Sequence, residues 1–222
     1  MTGDRKNGMF NWVALKLCGL ILLVFLLQMA FPGAEARLEL DSSQVLATPW
    51  TLVTYIFLHA SFSHVLSNLA VLALTGSLLE KAVGGKNFLL VFFSSGIFSG
   101  AVCTLFYGSV IGASGAVFGV MAALAVLRPK SVVFVLGVPM YVSVAMLVYA
   151  ALDLGGVFYP SDVANIGHLS ASMFGVLIGL AWMRRFRMPE GRKEEKYELD
   201  EKEFRRWEET YIKRKGKKKS QQ

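Results

Sequence analysis

The chain has 222 residues, 54% of them hydrophobic and only 18% charged, whereas soluble domains run near about 25% charged; this argues against an ordinary soluble enzyme and for a membrane domain with a short soluble tail. The net charge of +7 does not mark a nucleic-acid binder. From Arg184 onward there are 15 Lys and Arg against 9 Asp and Glu, a balance of +6, while the first 183 residues hold 8 against 7, a balance of +1.

Six apolar blocks follow in order, at residues 9–31, 64–83, 87–107, 114–127, 131–150 and 166–183. In lipid the backbone must satisfy its own polar groups, so each block is predicted to be a helix and the fold an all-α, polytopic six-helix bundle. The first block is preceded by Arg5 and Lys6 and followed by Ala34-Glu35-Ala36, the outline of a cleavable signal peptide. Its apolar run outlasts a signal-peptide core of about 7–15 residues, so it is read as an uncleaved first helix. The loop at 32–63 is long and carries Val45, Leu46, Trp50 and Tyr55. It is expected to lie in the membrane interface, with Trp50 and Tyr55 at headgroup level. Behind the last block, residues 190–215 place Tyr197, Phe204, Trp207 and Tyr211 on one stripe among charges, and a basic run closes the segment at 213–219. This reads as an amphipathic helix on a surface of anionic lipid; nucleic acid is not an expected partner. The domains are accordingly 1–184, the membrane bundle, and 185–222, the basic tail.

Basic residues in the short connections set the orientation. Arg5 and Lys6, Lys81 and Lys86, Arg128 and Lys130, and the tail all fall on one side of a six-span protein. That side is cytoplasmic, with both termini there. The other side receives Glu35, Glu39, Asp41, Asp153 and Asp162, with Arg37 as its one basic residue.

Chemistry-bearing residues gather at the external ends of the blocks. His59 and His64 flank the start of block two, Gly112-Ala113-Ser114-Gly115 opens block four, and His168 stands near the start of block six. Ionisable groups at such depth are costly and are functional candidates by default. From Ser114 to Leu127 a helix is about 21 Å long, against a hydrocarbon core of about 30 Å. With Arg128-Pro129-Lys130 at the cytoplasmic surface, Ser114 is expected below the external surface, where irregular backbone is tolerated only if buried or lining a watery cavity. A helix N-terminus also presents free N–H groups to a developing oxyanion. Block six carries Gly167, Ala171, Gly175 and Gly179 at every fourth position, and block four carries Gly115 and Gly119; such faces allow close helix approach. If they meet, His168 lies near Ser114 as the base that a serine nucleophile needs. No carboxylate is expected beside the histidine, because Asp153 and Asp162 read as residues in or beside the preceding loop, so the expectation is a dyad. His64 and Asn68, four residues apart on one helix face, are candidate oxyanion donors. Cys18 and Cys103 lie inside apolar blocks without metal-like spacing, and no metal or cofactor is implied.

Taken together, His59-x4-His64-x3-Asn68, Gly112-Ala113-Ser114-Gly115, and Asn165-Ile166-Gly167-His168 with Ala171 and Gly175 resemble the rhomboid family of intramembrane serine proteases, over roughly residues 49–183. The resemblance implies Ser114 as nucleophile, His168 as base, and His64, Asn68 and the Ser114 N–H as the oxyanion hole. Phe118 stands where the family usually has a tyrosine under the catalytic histidine. Two departures are Trp50-Thr51, where many relatives have Trp-Arg, and Ala171, where a glycine is common. The expected function is a serine endopeptidase cleaving transmembrane-helix substrates, with a prokaryotic plasma membrane as its expected location. The alternative is a non-catalytic rhomboid-like chaperone or adaptor, a class that typically lacks Ser or His at these positions.

Overall fold

The computed structural model describes residues 11–135, 137–159 and 163–186. Arg5, Lys6, Asp162 and the tail read as an amphipathic helix lie outside the described residues. The helices are α1 (Val13–Ala30), α2 (Thr51–Thr54), α3 (Phe62–Val83), α4 (Gly85–Cys103), α5 (Ser114–Leu127), α6 (Val142–Val157) and α7 (Asn165–Phe186). The chain is mostly helical and multi-pass. α1, α3, α4 and α7, at 18, 22, 19 and 22 residues, are long and apolar enough to cross a membrane, while α5 and α6 are apolar but have 14 and 16 residues.

α5 is short because its ends are fixed by chemistry. It begins after Gly112, whose φ of 127° suits glycine. It stops at Arg128, ahead of Pro129, which disfavours helical geometry in the residue before it. Ten of its fourteen residues are buried, whereas α1 buries only Ala14, Leu17, Ile21 and Phe25. The short helix is therefore walled by protein, and α1 offers Leu20, Leu23, Leu26 and Leu27 outward, as a lipid-facing helix does.

α5 and α7 approach through glycines. A Cβ on Gly175 would run into the Gly119 backbone, and one on Gly179 would sit 3.3 Å from the Ala123 carbonyl. Gly115 and Gly167 do not complete that face. They meet α4 instead, where a Cβ on either would press on Ser99, and Ser99 Oγ donates to the Gly167 carbonyl at 2.9 Å.

The fifth apolar block departs from expectation. Its first part is a two-stranded hairpin, β3 (Val132–Val135) with β4 (Val138–Tyr141), paired antiparallel with Val132 opposite Tyr141. The β-branched run favours strand, Gly137 takes φ 81° in the turn, and Pro139 would interrupt a helix. α6 then starts at Val142 rather than 131 and continues past Ala150 to Val157.

The loop before α3 is built rather than merely laid on the surface. Leu40–Asp41 (β1) pairs antiparallel with Ser109–Val110 (β2), just ahead of the Ser114 turn. Trp50 is exposed, as an interfacial residue would be, but Tyr55 is buried and donates its hydroxyl to the Gly96 carbonyl at 2.7 Å. The expectation for Tyr55 is corrected: a phenol with a carbonyl in reach is a core residue.

Candidate active site

The N-terminal ends of α3, α5 and α7 converge on one cavity of about 720 Å³, lined by His64, Asn68, Ser114, Phe118, Tyr149 and His168 among others. Ser114 is the first residue of α5, and no side chain caps that helix. The first four N–H groups of a helix lack intrahelical partners, so donors accompany the hydroxyl at the cavity wall.

The turn ahead of Ser114 is fastened by two hydrogen bonds and passes close to His64. Gly112 N–H donates to the Tyr55 carbonyl at 2.9 Å, and Ala113 N–H donates to His59 Nε2 at 3.4 Å. A Cβ on Gly112 would lie 2.8 Å from His64 Cε1, so only glycine lets the turn pass this closely. His59 is itself buried and held by its backbone, which exchanges hydrogen bonds with the Gln28 side chain of α1 at 3.0 and 3.1 Å. Burial, and secondarily His64 alongside, push its imidazole down to about 4. It therefore stays neutral and can keep Nε2 as an acceptor. The sequence marked His59 without a role; its place behind the serine turn is a contact between distant segments that spacing does not disclose.

His168, in the first turn of α7, brings Nε2 to 2.8 Å from Ser114 Oγ. Its ring lies flat on Phe118, with centroids 4.3 Å apart and planes 9° from parallel. Phe118 thus supplies an aromatic floor without a hydroxyl. His64 and Asn68 line the same cavity from α3. Asn68 Nδ2 donates one hydrogen to the His64 carbonyl at 3.0 Å, and the His64 ring packs edge-on to His59 at 4.9 Å.

One expectation about the site is overturned. Asp153 is not in a loop: it lies about one turn from the C-terminus of α6, buried, with Oδ1 2.9 Å from His168 Nδ1. The expectation of no carboxylate beside the histidine fails because α6 starts eleven residues later than the apolar block and ends seven later, which takes position 153 into the helix. An acidic residue inside an otherwise apolar helical run was the signal available in the sequence.

Chemically, the arrangement is a hydroxyl on an imidazole, the imidazole on a carboxylate, and a helix N-terminus, with His64 and Asn68 lining the same cavity. This is a set suited to acyl transfer. Among the described residues no group of His, Cys, Asp and Glu could hold a metal ion.

Comparison with known proteins agrees in family. The family model described as Rhomboid domain matches residues 47–185. The chain is 30% identical over 145 residues to the human presenilin-associated rhomboid-like protein, mitochondrial, covering 61% of this chain and 38% of that protein. It is 31% identical over 142 residues to rhomboid protease GlpG of Yersinia pseudotuberculosis, covering 62% and 49%. With rhomboid protease GluP of Bacillus subtilis the figures are 29% over 137 residues, 60% and 26%. The chain spans half or less of the length of these relatives. They include mitochondrial and bacterial proteins alike, so they give no support for assigning a prokaryotic plasma membrane.

Proposed function

Because the chain belongs to the rhomboid family, we propose that it is an intramembrane serine endopeptidase in which Ser114 is the nucleophile and His168 its base. One observation carries the reading: Ser114 Oγ and His168 Nε2 are 2.8 Å apart on the wall of a cavity of about 720 Å³. A free hydroxyl is a weak nucleophile and needs a base within hydrogen-bond reach.

His168 Nε2 takes the Oγ proton as Oγ attacks a substrate carbonyl. The resulting oxyanion meets the Ser114 N–H, His64 and the second Asn68 N–H. His168 then returns the proton to the leaving amine, and water in the cavity hydrolyses the acyl-enzyme by the same route. A general base of this kind contributes about 10²–10⁴-fold.

Substrates on this reading are transmembrane helices that enter sideways from the bilayer and unwind locally, since an intact helix hides its carbonyls. The domain at 1–184 spans the bilayer six times with both termini cytoplasmic. The tail at 185–222 holds anionic lipid, so deleting 190–222 should weaken binding to anionic vesicles while leaving cleavage in detergent intact.

The test is activity-based labelling of purified protein with a fluorophosphonate, alongside cleavage of a model transmembrane substrate. Wild type should label and cleave, and Ser114→Ala and His168→Ala should do neither while remaining folded. A folded Ser114→Ala protein that cleaves at the wild-type rate would sink the mechanism, and a folded wild type that does neither would favour an adaptor.

A further inference from the structure

Asp153 is an acidic side chain near the end of an apolar helix, only 6% exposed. Buried carboxylates are rare unless something holds them. Here Oδ1 has one partner, His168 Nδ1 at 2.9 Å, and Oδ2 has none among the described residues. The contact therefore does little for the fold beyond what it does for the histidine.

What it does follows from proton counting. A neutral imidazole carries one N–H, on Nδ1 or on Nε2. To take a proton from Ser114 Oγ at 2.8 Å, Nε2 must be bare, so the hydrogen must sit on Nδ1. An ionised carboxylate only accepts, and at Nδ1 it favours that tautomer. When Nε2 gains the serine proton the ring becomes a cation, and the same carboxylate faces it from the far side. Phe118 also lies against the ring, stacked flat at 4.3 Å. A phenyl face fixes the plane of the imidazole but cannot distinguish its nitrogens.

We propose that Asp153 is a positioning residue that holds His168 in the Nδ1–H tautomer and orients it on Ser114, so that the hydrolytic unit is Ser114–His168–Asp153 and not a pair. This rests on the serine-protease reading for its effect on rate, although the tautomer can be read without any activity.

The test compares Asp153→Asn, Asp153→Ala and Asp153→Glu in full-length purified protein. Asparagine is nearly isosteric, but its amide can donate to Nδ1 and so drive the hydrogen to Nε2, the wrong form for a base. Asp153→Asn should fold and melt close to wild type, yet lose kcat by about 10²–10⁴-fold with KM little changed. Asp153→Ala should be less stable than Asp153→Asn but no slower. Asp153→Glu, which keeps an accepting carboxylate, should recover part of the rate. A merely structural role predicts the opposite order, with the isosteric asparagine the best of the three.

The independent readout is ¹⁵N NMR of histidine-labelled protein, with the His168 signals assigned from His168→Ala. Wild type should show Nδ1 protonated and Nε2 bare, and Asp153→Asn should show the reverse. An Asp153→Asn protein with the wild-type tautomer and wild-type kcat would overturn the proposal. If wild type neither labels nor cleaves, the protease reading falls, and the spectra still decide whether Asp153 sets the tautomer.

Discussion

Asn68 is the residue at which the catalytic and scaffolding readings of the cavity part most clearly. It is buried on α3, and its amide nitrogen gives one of two hydrogens to the His64 carbonyl at 3.0 Å. The second hydrogen is left for the cavity that Ser114 and His168 share. If that hydrogen meets the oxyanion, removing it costs about 10²–10³ in kcat, or roughly 2.7–4 kcal/mol. KM should hardly move, because the ground-state carbonyl makes little use of the donor. If Asn68 is scaffold only, Asn68→Ala loses one bond to its own helix. That is worth about 1 kcal/mol, hence a Tm lower by roughly 2–4 °C for a chain of this size, with no effect on rate. Asn68→Asp sharpens the contrast: it keeps the shape but exchanges a donor for a charge that repels an oxyanion, so it should be at least as slow as Asn68→Ala. Measuring kcat, KM and Tm on the same preparations decides. An Asn68→Ala protein that melts early yet cleaves at the wild-type rate below its Tm would remove Asn68 from the oxyanion hole.

Three further outcomes are expected. Glu80, buried at the far end of α3, accepts from the N–H groups of Asn11, Val13 and Ala14 at 3.2, 3.1 and 3.0 Å and so caps α1, which has no side-chain cap of its own; Glu80→Gln replaces one acceptor by a donor and should cost about 2–4 kcal/mol, read as a lower Tm, with kcat below Tm unchanged because the residue lies about 24 Å along the helix from His64. Gly175→Leu should force α5 from α7, since a Cβ there already meets the Gly119 backbone, costing about 1–3 kcal/mol or more and separating Ser114 from His168; a variant with wild-type Tm and labelling would contradict the packing account. Cysteines introduced at Ser42 and Ser220 should label from outside and from inside respectively in intact cells, and external labelling at 220 would reverse the proposed topology.

Much of the architecture is legible because lipid leaves the backbone few options. A long apolar run must satisfy its own N–H and C=O groups, so α1, α3, α4 and α7 fall within a few residues of the apolar blocks. The limits of α5 are readable for a separate reason: Gly112 and Pro129 act locally, one as a left-handed hinge and the other as a stop. The meeting of α5 and α7 is legible only in part. Small residues at every fourth position announce a close helix contact, but not which helix supplies the partner. Gly119 and Gly175 meet each other, whereas Gly115 and Gly167 meet Ser99 of α4.

The misread part of the site traces to one apolar block. Residues 131–150 satisfy a hydropathy test as well as any helix does, because hydropathy does not register how the backbone is paired. A two-stranded hairpin pairs only the inward backbone groups of β3 and β4 and leaves two open edges, which lipid does not tolerate unless protein or water covers them; hydropathy does not register that either. What selects the hairpin is local: Val132, Val133 and Val135 are β-branched, Gly137 adopts φ 81°, and Pro139 lacks the N–H that a helix would need. Given those three signals, a helix cannot run through Pro139 from 131, and the sixteen-residue helix that starts at Val142 reaches past Asp153. The position of one carboxylate, inside the bundle and on the histidine rather than in the loop outside, therefore depends on a glycine sixteen residues earlier and a proline fourteen residues earlier. A substitution that pulled the hairpin into helix, such as Pro139→Ala combined with Gly137→Ala, would rotate and shift α6 relative to α7. It should then reproduce the loss of rate expected of Asp153→Asn without touching any group in the cavity.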